Sequence, residues 1–182
     1  MPRLQKPYTD TIPEDSRIFL AQFPPDEMFQ MLSHSPAMVQ PFIRLGLTIY
    51  SSLHLPVRTR EVAILALASA VQSEFVFAQH IPISEKAGVT ERIREIIRDQ
   101  NYTNPALPEE DRAVIQFTTE LIEKPHMSDE VFASARKFLS DREIVELLQV
   151  CGYYWTLSRL CTVLQVETTQ MYDEISVEGL DR

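Results

Sequence analysis

Glycine is nearly missing from this sequence, at 4 residues in 182, against the roughly 7% usual in globular proteins. β-Hairpin proteins and glycine-rich phosphate loops both depend on that residue, so both are poor expectations. Cysteine is almost as rare: Cys151 and Cys161 are the only two. They fall in one predicted helix, about 15 Å apart at 1.5 Å per residue, too far for a disulfide. A reduced, cytoplasmic compartment is therefore expected. No apolar run is long enough to cross a bilayer; the longest, Val62 to Val71, is interrupted by Ser69. The first residues, Met1 to Lys6, contain no apolar stretch of the secretory type. Basic residues are in deficit, with 17 Lys and Arg against 26 Asp and Glu for a net charge of −9. A field of that sign repels nucleic acid and anionic membranes. Also missing are C-x-x-C, H-E-x-x-H, G-x-S-x-G and any glycine-rich nucleotide fingerprint. The four histidines, His34, His54, His80 and His126, are too scattered to suggest a metal site. No metal and no organic cofactor is expected.

What is present is helical periodicity. The 12 prolines all precede residue 126, and they divide the chain. Residues 1–13 read as an extended arm, with short helices around 14–22 and 25–33. Pro36 opens a longer helix whose apolar stripe runs through Met38, Phe42, Leu45 and Ile49, and His54-Leu55-Pro56 ends it. Val57 to Val71 is apolar all round, the mark of a central buried helix. Ser73 caps the next helix, which carries His80 and Pro82, with a kink expected at the proline, and stops at Gly88. Thr90 caps a short helix with Ile93, Ile96 and Ile97 on its dry side. Further helices are predicted over 111–124, 128–139 (apolar at Val131, Phe132, Ala135 and Phe138) and 141–166. No strand is evident, and the fold class is all-α. Three parts follow: an arm with short helices over 1–36, a helical domain over 37–170, and a tail over 171–182. Arg60-Glu61-Val62-Ala63 and Arg142-Glu143-Ile144-Val145 echo each other 82 residues apart, which raises the possibility of two related lobes.

The chemistry narrows to one histidine. Ser73, Val76 and His80 share a helix face, whereas Glu74 points away from it. If the chain reverses at Gln72-Ser73, Glu61 comes level with His80 on the preceding helix. A carboxylate facing an imidazole in an apolar cleft is an acid–base pair. The plainer alternative is a core histidine bonded to a carbonyl, with Glu61 paired to Arg58 or Arg60. Tyr153, Tyr154 and Trp155, with Phe75 and Phe77, are either core or the lining of a pocket for a flat substrate. Glu146, Gln149, Tyr153 and Thr156 make a narrow polar stripe. Arg44, Arg58 and Arg159 are the cations most able to meet a substrate carboxylate.

The run Leu55-Pro-x-Arg-x-Arg-Glu61, then Glu74-Phe75-x-Phe77-x-Gln79-His80-x-Pro82-Ile83 and Ala87-Gly88, resembles carboxymuconolactone decarboxylase-like proteins, which share the alkylhydroperoxidase D-like fold. Asp111 to Val114 and Arg142 to Trp155 add to a resemblance spanning about Ala37 to Val166. It implies a catalytic His80 and Glu61, with Ser73, Val76 and Phe77 at positions beside the substrate; Tyr153, Tyr154, Trp155 and Arg58 are expected to join them from the reading of the residues above. Peroxidase-type members carry a C-x-x-C where Ser73 and Val76 stand, so thiol peroxidase activity is excluded. Decarboxylase-type members often carry glutamate and tryptophan where Val76 and Phe77 stand, which leaves a drier pocket here. The resemblance implies a homo-oligomer, a trimer or a multiple of one. It also implies a small conjugated or aromatic acid as substrate, from aromatic catabolism or secondary metabolism, and decarboxylation without a cofactor. Isomerisation or cyclisation in the same pocket, or a non-catalytic ligand binder, are the alternatives.

Overall fold

The computed structural model describes residues 2–167; the predicted tail at 171–182 lies outside the described residues. After a 3₁₀ turn at Thr9–Thr11, the helices are α1 (Glu14–Leu20), α2 (Glu27–Leu32), α3 (Pro36–Ser51), α4 (Val57–Ala70), α5 (Glu74–Lys86), α6 (Glu91–Arg98), α7 (Glu109–Glu123), α8 (Asp129–Ala135) and α9 (Asp141–Leu164). No strand occurs among the described residues.

Helix α4 is the axis of the fold. Thr59 through Ala68 are all buried, and α5, α6, α7 and α9 pack round it. A helix with no wet face is stable only inside such a shell, where each buried Ile or Leu contributes roughly 1.5–3 kcal/mol. Its polar residues cluster in the first turns, where Thr59, Arg60 and Glu61 are buried too. Leu55 and His54 fix the entry to this helix, because both backbone amides donate to Glu146 Oε2, at 2.7 and 2.8 Å. Glu146 also accepts from Arg142 Nε at 2.8 Å. It therefore leaves the expected polar stripe for the interior, while Gln149 and Thr156 face outward. A second brace is the ion pair of Arg58 with the buried Asp111 of α7, which includes an Nη2–Oδ2 bond of 2.8 Å.

The turn between α4 and α5 falls at Gln72, in the left-handed region with φ 56°. Ser73 is the N-cap residue of α5, but its side chain makes no capping bond. Helix α5 continues through Pro82 and closes at Gly88, whose φ of 84° suits glycine. Thr90 Oγ1 does cap α6, accepting from Ile93 at 3.4 Å, and Ile93, Ile96 and Ile97 are buried.

Three further expectations change. The dry face of α3 is Val39, Ile43, Gly46 and Ile49, one position round from the apolar stripe, so Met38 and Leu45 are exposed. The seam is masked in sequence because Gly46 holds it, and Tyr153 of α9 packs there. A Cβ on Gly46 would stand 2.9 Å from Tyr153 Cζ. Gly46→Ala must displace that ring from its 4.5 Å stack on Phe42, and an overpacking cost of about 1–3 kcal/mol is expected, read as a lower melting temperature. Helix α8 is shorter than 128–139: its end at Ala135 is sealed by amides of Phe138 and Leu139 donating to the Ala135 carbonyl, and Phe132 and Phe138 are exposed. Lastly, the echo at Arg142-Glu143 is not a repeated hairpin. Residues 141–164 form one uninterrupted helix, and Glu143 sits in an exposed capping box with Ser140.

Candidate active site

The helical hairpin of α4 and α5 brings two sequence-distant groups together. Glu61 lies in the first half of α4, and His80 lies past the turn on α5, both on facing sides. His80 Nδ1 is 2.7 Å from Glu61 Oε2, with the carboxylate fully buried and His80 4% exposed. The other carboxylate oxygen, Oε1, accepts from Arg60 Nε at 3.0 Å. Arg60 is buried as well, and its Nη1 donates to the Ile49 carbonyl at 3.1 Å. Burial alone would push the Glu61 carboxyl up. The charge and hydrogen bond of His80, joined by those of Arg60, outweigh it and hold the group below its ordinary value. Glu61 is therefore an ionised acceptor, and the proton on Nδ1 belongs to the imidazole. That assignment leaves Nε2 as the working nitrogen.

Nε2 faces two tyrosines. Tyr50, near the end of α3, places its Oη 3.4 Å from Nε2 and 2.6 Å from the Oη of Tyr154 on α9. The Tyr154 ring meets the imidazole edge-on, at 4.9 Å and 86°. Arg60 lies over the Tyr50 ring at 4.3 Å, so one guanidinium orients both the carboxylate and the tyrosine. Burial raises both phenols well above their usual value, so they remain neutral hydroxyls. Four helices thus contribute to a single buried chain of contacts: Arg60 and Glu61 from α4, His80 from α5, Tyr50 from α3 and Tyr154 from α9.

The remaining sequence candidates separate. Val76 and Ser73 are buried on His80's own helix. Phe77 is buried under the Arg98 guanidinium, 4.3 Å from its ring. Tyr153 packs against Tyr154 at 5.2 Å. Trp155 is 47% exposed, one position beyond the inward face of α9, and is not part of this cluster. Arg58 is bound to Asp111 and the Gly88 carbonyl, so its charge is already matched. Arg44 lies over Phe19 and Arg159 is exposed.

Tyr50 escapes the sequence reading, and Arg60 enters it only as one of two candidate partners for Glu61. Tyr50 had no local signal, since its helix is linked to His80 only by tertiary packing. The role of Arg60 did leave a trace: two adjacent opposite charges opening a run that is apolar from Val62 to Ala68. Among the described residues, no three His, Cys, Asp or Glu side chains gather as metal ligands. Both thiols are free and buried. Burial pushes Cys151 up to about 12, and Cys161 is raised by the same cause.

No protein-family model matches the chain, and no curated protein is significantly similar to it. Solved structures do match. A putative antioxidant defence protein AhpD of Agrobacterium tumefaciens is 21% identical, with a TM-score of 0.68 over 79% of this chain and 96% of the other. A peroxidase-related protein of Ralstonia eutropha with the alkylhydroperoxidase AhpD core is 17% identical, with a TM-score of 0.76 over 91% of each chain. The debrominase Bmp8, solved in complex with 2,3,4-tribromopyrrole, is 15% identical, with a TM-score of 0.72 over 92% of this chain and 94% of the other. The chain has the alkylhydroperoxidase D-like fold.

Proposed function

We propose that the protein is a cofactor-independent decarboxylase of a cyclic or aromatic β-keto or vinylogous acid. The observation that carries this reading is the buried 2.7 Å contact between His80 and an ionised Glu61, which leaves Nε2 free to hand a proton to carbon. Loss of CO₂ breaks the bond between the carboxyl and the α-carbon, and its electron pair moves into an enolate. The proton on Nε2 then goes to that carbon, the enolate pair forms the new C–H bond, and His80 recovers a proton from solvent. Glu61 accepts from Nδ1 and balances the charge of the imidazolium until its Nε2 proton is transferred.

The surroundings favour that chemistry. The guanidinium groups nearest the site are committed, Arg58 to Asp111 and Arg60 to Glu61 and the Ile49 carbonyl. A substrate carboxylate beside His80 then has neither guanidinium free to pair with it, and an unpaired carboxylate withdrawn from water is disposed to leave as CO₂. The flat ring carried by the debrominase structure is in keeping with a flat, conjugated substrate beside His80 and Tyr50. Thiol peroxidase chemistry has no support, because Ser73 and Val76 replace the cysteines and both real thiols are buried and protonated.

Incubating the protein with a panel of β-keto and vinylogous acids, and following each mixture by mass spectrometry, tests the reading. The expected result is at least one acid converted to a product lighter by CO₂. A product of unchanged mass and altered retention would replace decarboxylation by isomerisation or cyclisation.

We further propose a cytoplasmic homo-oligomer, a trimer or a multiple of one. Met38 and Leu45 on α3, with Val145, Leu148 and Trp155 on α9, are exposed apolar side chains suited to such contacts. Light scattering is expected to give three times the 21.0 kDa chain mass or a multiple of that; the mass of one chain or of two would overturn it.

A further inference from the structure

We propose that the Tyr50–Tyr154 hydroxyl pair is the site's oxyanion donor: Tyr50 donates to the enolate oxygen of a substrate or the phenolate oxygen of an analogue, and Tyr154 donates to Tyr50. This inference rests on the decarboxylation reading, and it names the part of the substrate that the tyrosines recognise.

Counting donors along the chain leads there. Arg60 only donates and ionised Glu61 only accepts, so Nδ1 of His80 donates to Glu61. When Nε2 is unprotonated, the Tyr50 hydroxyl donates to it and the Tyr154 hydroxyl donates to Tyr50. Every proton then has an acceptor. When Nε2 carries a proton, the direction reverses: Nε2 donates to Tyr50, and Tyr50 donates to Tyr154. The Tyr154 hydroxyl is then left as a buried donor with no acceptor, on a side chain 3% exposed. An unmatched buried donor is unfavourable, and an oxygen anion that takes the Tyr50 proton in a hydrogen bond restores Tyr50 as the acceptor for Tyr154.

The geometry agrees. The Tyr50–Tyr154 contact is short at 2.6 Å, while Tyr50 to Nε2 is long at 3.4 Å. The weak link lies where a substrate atom must enter if Nε2 is to reach carbon. The two hydroxyls are fixed from opposite helices, Tyr50 beneath Arg60 and Tyr154 against His80 and Tyr153. Donors held in place in advance stabilise developing charge without reorganisation. Burial keeps both phenols protonated, so Tyr50, backed by Tyr154, donates to the anion rather than competing with it. Arg60 adds positive charge behind the Tyr50 ring. No proton passes to the enolate oxygen; it stays hydrogen-bonded until Nε2 delivers its proton to carbon and the carbonyl re-forms.

The test uses 4-nitrophenol as an enolate mimic, because its own absorbance reports phenol and phenolate separately. The intact protein is expected to bind it as phenolate. Tyr50→Phe and Tyr154→Phe, which keep the rings and their packing, should each weaken that binding about ten- to a hundredfold, with melting temperatures showing both variants folded. Tyr102→Phe, distant from the site, should bind like the parent. Equal affinity in the parent and both site variants, or no phenolate binding by the parent, would overturn the assignment. The readout is binding, so it separates the two readings: phenolate bound through both tyrosines, without turnover of any panel acid, leaves the oxyanion site standing and removes decarboxylation.

Discussion

His80→Ala is expected to lower kcat on the identified acid by about 10²–10⁴-fold, the usual contribution of a positioned acid–base group. The loss follows from geometry rather than from unfolding. Glu61 keeps Arg60 as a partner at 3.0 Å, so its charge is not left alone in the core. His80→Gln is the stricter form of the same experiment. A glutamine amide can still donate toward Glu61, which preserves the polar contact, but it carries no proton to carbon at neutral pH. Both variants should therefore be folded and nearly inactive. A folded His80→Gln that retained most of its turnover would show the imidazole to be a structural member of the core.

Glu61→Ala should be the most destabilising substitution in the site, at about 3–5 kcal/mol, because it strands the buried Arg60 guanidinium without its counter-charge. For a chain of this size that corresponds to a fall in melting temperature of about 6–20 °C. Glu61→Gln retains the shape and isolates the charge. The folded-state carboxyl of Glu61 lies below its ordinary value, so its contribution to stability is complete above the unfolded carboxylate value of about 4.3 and is lost as pH falls through the folded one. Melting temperature plotted against pH should thus fall less steeply on the acid side in Glu61→Gln than in the parent. Parallel curves would mean that Glu61 titrates alike in the folded and unfolded chain. Glu120, Glu143 and Glu146, also lowered, contribute to the acid slope that remains.

Much of this architecture is legible from residue order, and the reason differs by element. Helix α4 is readable because a run without polar faces has only one stable location, and α6 because Thr90 and its isoleucines mark both cap and dry side. The Glu61–His80 approach is readable because a short turn forces α4 and α5 antiparallel, which fixes relative height from residue counts alone. The face of α3 is not readable: its seam is made by Gly46, a residue with no hydropathy to contribute, so the larger Met38 and Leu45 mislead. Tyr50 is hidden for a different reason. Its contact with His80 spans 30 positions and its contact with Tyr154 spans 104, and no local pattern encodes such pairings. Trp155 shows the converse error, where an aromatic triplet in sequence is split by the 100° step of the helix, with Tyr154 inside and Trp155 outside. Arg58 looked free because Asp111, its partner, arrives from another helix.

The central claim is that His80 hands a proton to a carbon that has just lost CO₂. It is tested most directly by running the reaction in D₂O and locating the deuterium in the product by NMR. The account predicts one deuterium at the former carboxyl-bearing carbon, on one face only where that carbon is stereogenic, and no such product with His80→Gln. Deuterium distributed over both faces, or the same labelled product at the same rate from His80→Gln, would contradict it, because solvent and not His80 would then be the proton donor.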